Sequence, residues 1–323
     1  MSPKNASDRL ITVYGGSGFL GRHVVRALAK RDYRIRVACR RPELTGHLQP
    51  LGRVGQIHAV QANLRHAGSV EAAARDADAV VNLVGILAET GRQTFGAVQR
   101  SGAQAVAQAA ATHGARMVQV SAIGADSNSA SGYASSKAEA ETAVLAAVPS
   151  AIILRPSIIF GPEDTFFNRF AAMARMLPAL PLIGGGLTRF QPVFAGDVAT
   201  AVADAIDGKA KAGTTYELGG AEILTFKQLM RFTLDTIERR RALVPLPFPI
   251  ASLMASVLQF VPGAPLTPDQ VELLRTDNVV SNDAQREGRT LAAFGIAPES
   301  IAAIVPTYLW RFRKTGEFSS SHA

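Results

Sequence analysis

Short apolar runs alternate with helically spaced apolar residues through the first half of the chain. Leu10 to Tyr14 is apolar and partly β-branched, the pattern of a buried strand. Phe19 to Ala29 follows, with Leu20, Val24 and Leu28 on one helical face. Further strands are predicted at Arg34–Cys39, Ile57–Gln61, Ala79–Leu83, Met117–Val120 and Ala151–Leu154. Helices are predicted over Thr94–His113 and Tyr133–Ala147, and this alternation calls for a parallel sheet covered on both faces.

Beyond Pro156 the rhythm breaks. Gly161-Pro162, Pro178, Pro181 and Gly184-Gly185-Gly186 punctuate shorter elements, as expected of a substrate-side lobe. Phe190 to Ala201 is expected to return to the sheet, with Val193 to Ala199 reading as strand, turn and helix start and Asp197 as N-cap. Thr215–Leu218 reads as a strand, followed by a helix capped by Thr225. The expected division is 1–160 and 161–323, with parts of 190–220 completing the first sheet; one cut simplifies a discontinuous boundary. The tail at Ser319-Ser320-Ser321 is expected to be mobile.

Between the first strand and helix lie Gly15, Gly16, Ser17, Gly18, Phe19, Leu20 and Gly21. Three of the glycines fall at intervals of three. A turn without Cβ atoms lets backbone N–H groups meet a pyrophosphate at the positive end of the helix dipole. The alternative is a tight turn that needs glycine and binds nothing. Position directly after a strand and at the opening of a helix favours the nucleotide. The fold class is therefore α/β, a Rossmann-type doubly wound parallel sheet with a smaller, mostly helical C-terminal lobe.

The end of the second strand in such a sheet chooses between the two nicotinamide cofactors. Here it reads Val37-Ala38-Cys39-Arg40-Arg41, with no carboxylate until Glu43. Guanidinium forks match phosphate oxygens, so NADP(H) is expected ahead of NAD(H), held by Arg40 with Arg41. Asn63 with Leu64, after the third strand, and Val84 with Gly85, after the fourth, are expected to border the same nucleotide. Pro156, ending the sixth strand, completes the set.

Composition removes several classes. Cys39 is the single cysteine, so no internal disulfide forms, and the six histidines show no metal-ligand spacing. A net charge of +8 fits an anionic partner. No basic run exceeds Arg239-Arg240-Arg241 and no basic–aromatic array appears, so nucleic acid is not expected. No signal or transit peptide is expected, and no apolar run reaches the ~18–20 residues that span a bilayer.

The fifth strand ends at Ser121, and twelve residues later comes Tyr133-Ala134-Ser135-Ser136-Lys137. This spacing puts Tyr133 and Lys137 one helical turn apart on one face. An ammonium beside a phenol lowers a pKa that is normally about 10, so Tyr133 can exchange a proton with a substrate oxygen. Ser121 is expected to hydrogen-bond that oxygen. The bland alternative is a lysine that only holds ribose hydroxyls.

The glycine turn, Ser121, Tyr133/Lys137 and Leu154-Arg155-Pro156 … Phe160-Gly161-Pro162 resemble the extended and atypical short-chain dehydrogenases. Arg155-Pro156-Ser157, Glu163-Asp164, Phe167-Asn168, Pro181-Leu182-Ile183, Gln191-Pro192-Val193, Asp197-Val198, Pro265 to Val271 and Asp277 to Val280 carry a narrower likeness. They are similar to the NADPH-binding accessory subunit of respiratory complex I (alpha-subcomplex subunit 9) and its bacterial relatives. The resemblance implies bound NADPH without established turnover, a role in complex I assembly or stability, and a link to ubiquinone metabolism. Gln99 departs from the pattern, since extended dehydrogenases usually carry asparagine there, and this touches catalysis rather than cofactor binding.

The first reading is an accessory protein of complex I or the quinone pathway with weak or absent catalysis. The alternatives are an active NADPH-dependent reductase of a hydrophobic carbonyl, and an NADPH-sensing regulator, which Tyr133 disfavours. Nucleotide-sugar chemistry fits poorly with the apolar run Phe166, Phe167, Phe170, Met173, Met176, Leu177 and Leu180. Ile250 to Val261 is an apolar helix too short to cross a bilayer. It is expected either to close the lobe as a core helix or to rest on a membrane or hydrophobic subunit. The location expected is cytoplasmic and peripheral on the inner face of the membrane; oligomeric state is left open.

Overall fold

The structure, a computed structural model, describes residues 5–260, 266–314 and 316. Strand β1 (Leu10–Tyr14) turns into helix α1 (Phe19–Ala29), followed by β2 (Arg34–Cys39), β3 (Ile57–Gln61) and α2 (Ala67–Ala74). The alternation continues through β4 (Ala79–Asn82), α3 (Ser101–Thr112), β5 (Arg116–Val120), α4 (Gly132–Ala147) and β6 (Ile152–Pro156). Next come β7 (Ile159–Phe160), α5 (Phe167–Met176), β8 (Ala179–Ile183), β9 (Arg189–Phe190) and β10 (Val193–Phe194). The remainder holds α6 (Ala195–Asp207), β11 (Thr215–Leu218), β12 (Leu224–Thr225), α7 (Phe226–Thr236) and β13 (Ala242–Leu246). Helices α8 (Phe248–Leu258) and α9 (Pro268–Leu273) precede several shorter turns of helix.

Seven parallel strands form one sheet in the order β11–β6–β5–β4–β1–β2–β3. The order reverses between β1 and β4, where a doubly wound sheet opens a crevice beyond its strand ends. Val13 lies opposite Val37 on one side and Val81 on the other, and all three are fully buried. Such continuous apolar strands are what a sheet covered on both faces requires. Tyr14, Val80, Met117 and Ile153 share a core cluster with Ala103, Ala107 and Ala110 of α3, whose small side chains permit close helix packing.

The chain divides into two compact units. The first takes residues up to Pro156, then Gly196–Leu218 and Ser281–Ile296, and contains the large sheet. Its edge strand β11 is fastened by the last of these segments. Glu217 N–H donates to the Arg289 carbonyl at 2.9 Å, and Arg289 Nη1 donates to the Thr215 carbonyl at 2.8 Å.

The second unit takes Ser157–Ala195, Gly219–Val280 and the residues from Ala297. Its core is aromatic. Phe166 packs edge-on to Phe167 and Phe170, each with centroids 5.2 Å apart, and Phe170 meets Phe226 at 5.4 Å. Leu180, Leu182 and Met230 fill the gaps between the rings. The phenylalanines read as an apolar lobe therefore pack largely on one another.

Several boundaries differ from the sequence reading. Of the range expected to complete the sheet, β11 does so and the chain from Gly196 joins the first unit, but β9 and β10 do not: β9 pairs with β12 and β10 with β7, each as a small separate sheet. Helix α6 begins at Ala195, so Asp197 sits in its first turn and is not the N-cap. The acid still meets the positive end of the helix dipole there. Thr225 does cap α7, through a reciprocal box with Gln228. The long helix expected from Thr94 opens instead with a π-helical segment, Gly96–Arg100, before α3. Helix α2 has no counterpart in the sequence reading. The Ser319-Ser320-Ser321 tail lies outside the described residues.

One buried carboxylate organises the second unit. Asp164 accepts from Gly161 N–H and Asn168 N–H, each at 3.2 Å, and from the Tyr308 hydroxyl at 2.5 Å. Burial pushes this carboxyl up, while these donors and the Phe167 amide hold it down. Tyr308→Phe keeps the ring and removes one donor from a buried acceptor, a loss of about 1–3 kcal/mol. The urea midpoint should fall accordingly, and an unchanged midpoint would show that the contact carries no net stability.

Candidate functional site

The strand-to-helix turn is built on two close backbone approaches. Gly15 has φ +79°, where an added Cβ would also press on Val84 Cγ2 at 3.1 Å. At Gly21 a Cβ would stand 2.3 Å from the Gly15 carbonyl oxygen and 2.5 Å from the Gly16 carbonyl carbon. Backbone cannot yield at such distances, so α1 docks on the turn only with glycine at this position. The α1 N-cap is Gly18, which offers no side chain to the first amides of the helix. Those amides are free to serve an anion.

A cleft of about 340 Å³ opens beside this turn. Gly15, Ser17, Gly18, Phe19, Leu20 and Gly21 form one wall, with Arg40, Asn63, Leu64, Val84 and Gly85 around the remainder. Gly16 lies beneath the turn, facing Val13 and Val37, and is not a lining residue. Arg41 and Pro156 are likewise outside the lining. The Arg41 backbone hydrogen-bonds the Cys39 thiol, and the Pro156 carbonyl accepts from Ile123 N–H at 3.0 Å. Arg40 Nη1 donates to Gln93 Oε1 at 2.7 Å. A second hollow of about 410 Å³ adjoins at Leu64 and Arg65, but Arg65 is its only ionisable lining residue.

Ser121, Tyr133 and Lys137 also belong to the first unit. Ser121 is buried at the end of β5, with its N–H bonded to the Leu154 carbonyl at 2.7 Å. Its hydroxyl oxygen is buried without a hydrogen-bond partner, a costly state unless a ligand supplies one. The N-cap Ser131 accepts from Ala134 N–H and so starts α4 just ahead of the tyrosine. Tyr133 is half-buried, with Phe95 edge-on to its ring at 6.0 Å. Lys137 Nζ sits 5.8 Å from the centre of that ring and 3.4 Å from the Val120 carbonyl. A Cβ on Gly85 would come within 3.2 Å of Nζ, so the lysine lies against that glycine of the cleft wall, while none of Ser121, Tyr133 and Lys137 lines the cleft itself. Burial lowers Lys137 to about 8, and the nearby Glu141 carboxylate opposes the fall. Glu141 is itself clamped by Arg155 through bonds of 2.9 and 2.6 Å.

Sequence reasoning passed over several residues of this region, the polar ones being Cys39, Arg65 and Gln93. Cys39 lines the cleft, with burial pushing its thiol up against hydrogen bonds from Arg41 and Ser17. Gln93 and Arg65 also line it, on loops whose composition carries no motif. Gln99 falls within the π-helical segment, donates to the Ile86 carbonyl at 2.8 Å, and has an unpartnered buried carbonyl oxygen. No group of potential metal ligands occurs among the described residues.

Glycine contacts that forbid a Cβ, an uncapped helix start, an arginine at the second strand and an orphaned hydroxyl together fit a dinucleotide and a substrate oxygen. The profile of the NAD dependent epimerase/dehydratase family matches residues 11–219. Subunit 9 of the NADH dehydrogenase [ubiquinone] 1 alpha subcomplex from Arabidopsis thaliana is 36% identical over 325 aligned residues, covering 97% of this chain and 80% of that one. A ceramide reductase of Caulobacter vibrioides is 37% identical over 174 residues, 54% of each chain. Among solved structures, the dTDP-glucose 4,6-dehydratase of Streptomyces venezuelae superposes with TM-score 0.72 at 22% identity, covering 94% of this chain and 96% of that one.

Lys137 titrates near 8 when folded and at its ordinary 10.5 when exposed. Between those values the unfolded chain binds more protons at this position, so the position's contribution to stability rises with pH. Below about 8 both states are protonated and the slope vanishes. Lys137→Met should abolish this trend, so that the gap between wild-type and variant urea midpoints changes from pH 8 to pH 10. Parallel curves would show that the lysine titrates normally.

Proposed function

The chain belongs to the NAD dependent epimerase/dehydratase family, and from that premise we propose that it binds NADP(H) in the cleft of its first unit. The single observation that carries the cofactor preference is Arg40, which lines the cleft at the end of β2 and has a glutamine, not a carboxylate, as its side-chain partner. The protein acts in association with respiratory complex I or ubiquinone metabolism, with weak or absent turnover. Similarity to alpha-subcomplex subunit 9 along nearly the whole chain supports that placement. Its partners in this reading are respiratory-chain or quinone-pathway proteins. It works on the cytoplasmic side of the membrane as a peripheral protein, in keeping with the absence of any described helix long and apolar enough to cross a bilayer.

A second reading is favoured by the orphaned Ser121 hydroxyl beside a lysine of lowered pKa: an active reductase of a hydrophobic carbonyl. Similarity to a ceramide reductase supports it. Bound NADPH would supply the hydride to the carbonyl carbon. Ser121 donates a hydrogen bond to the carbonyl oxygen, and Tyr133 delivers the proton that the resulting alkoxide takes up. Lys137 favours the phenolate left behind, and below about pH 8 it does so as an ammonium.

Two measurements separate these claims. NADPH should bind at least tenfold more tightly than NADH, because one charge-assisted phosphate contact contributes roughly 1.5–3 kcal/mol. Arg40→Asp should erase the difference, and equal affinities in the unmodified protein would refute the preference. Tyr133→Phe should leave NADPH affinity unchanged. If the protein is a reductase, oxidation of NADPH by long-chain ketones or quinones should fall about a hundredfold or more in that variant. If it is an accessory protein, cellular complex I activity should be the same with either residue.

A further inference from the structure

Helix α8 is packed the wrong way round for a core helix. It buries Ala251 and Ala255 completely and turns its large side chains outward. Leu253 is 70% exposed, Val257 66% and Phe260, just past the helix, 83%, with Ile250 and Met254 also exposed. At 100° per residue these five lie within an arc of about 120°, one continuous stripe. A soluble helix shows the reverse arrangement, and a patch of this kind marks an interaction site.

The chemistry of the stripe narrows what covers it. No charged residue occurs from Ala242 to Phe260. The polar side chains on the flank bond within the helix: the Ser256 hydroxyl donates to the Ser252 carbonyl at 2.9 Å, and Gln259 Nε2 donates to the Ser256 carbonyl at 3.0 Å. The flank thus offers few free groups to specify a protein partner, and its internal bonds suit an apolar medium. Five side chains on one short helix fall well below the ~800 Å² per partner of a stable dimer. At 1.5 Å per residue the helix is only about 16 Å long, so it lies along a bilayer surface rather than through it.

Charge supplies the second argument. Arg239, Arg240 and Arg241 immediately precede β13, the strand that leads into α8. Arg239 and Arg241 donate to the Phe312 and Ala174 carbonyls, and none of the three has a carboxylate partner among the described residues. Arg275 stands over the Phe248 ring at 4.5 Å, at the opening of the helix. Arg275 is already paired with Glu272 at 2.8 Å, so the uncompensated charge is that of Arg239–Arg241, one short strand before the uncharged stripe, and it suits anionic head groups.

The geometry points to α8 as the element by which this protein docks on an anionic bilayer, its Ile250–Leu253–Met254–Val257–Phe260 stripe set among the acyl chains. The inference rests on the peripheral-membrane part of the reading above and names the surface responsible. The test is co-sedimentation of the full chain, loaded with NADPH, with phosphatidylglycerol/phosphatidylcholine vesicles. Binding should occur in low salt and weaken in high salt or on pure phosphatidylcholine. Leu253→Glu with Val257→Glu should lower binding at least tenfold, with melting temperature and NADPH affinity unchanged because both positions are exposed. Arg240→Gln should lower it by about fivefold, the effect of one head-group contact. If the double variant binds as well as the wild type, α8 is not the docking element, although the membrane reading survives. If the wild type does not bind these vesicles, both fail. A dimer of the wild type that dissociates in the double variant would assign the stripe to a second copy and overturn the proposal.

Discussion

How closely α1 can approach the turn after β1 decides the rest of the first unit. The clearance at Gly21 is smaller than any side chain, and the contact is backbone on backbone, so neither partner can rotate away. That approach aims the start of the helix at the point where the strand order reverses. A wider turn would leave the amides at the helix start too far from a phosphate to solvate it. The loops after β2, β3 and β4 then only need to deliver side chains around a position already fixed by the main chain.

Charge is handled by relay rather than by neutralising the cleft. Lys137 is buried beside Gly85, yet its counter-charge Glu141 lies one turn further along α4 and is occupied by Arg155 of β6. Arg155 in turn approaches Glu217 of β11 at 4.0 Å, and the Glu217 carboxylate accepts from Ser281 N–H at 2.7 Å. Burial lowers Lys137 to about 8, and Glu141, already engaged by Arg155, opposes that fall only in part. The same chain of contacts ties a helix, two strands and a late segment of sequence into one electrostatic unit.

The strands of this fold were readable because both their faces are buried, so that Val37, Val80 and Val118 announce themselves as apolar runs without regard to partner. The glycine turn was legible for a steric reason that acts locally. What escaped depends on long-range geometry. Gln93 earns its place by reaching Arg40 across fifty-three positions, and nothing in its neighbourhood signals that. Asp197 looked like a cap by residue type, but the helix starts two residues earlier. Composition alone could not orient α8 either, since small and large apolar residues are both counted as hydrophobic and only packing shows which are hidden.

The segment Ser281–Ile296 completes the first unit, although the unit begins at the other end of the chain. Strand β11 pairs with β6 on one side, and its main chain on the other is met by Arg289. On a ribosome, therefore, the β11 edge of the large sheet stays uncovered until most of the polypeptide has been made and has cleared the exit. An unpaired parallel edge is a template for unwanted association. Synthesis of this protein thus carries a long interval in which the nascent sheet needs shielding, and a premature stop anywhere before residue 281 would make that interval permanent.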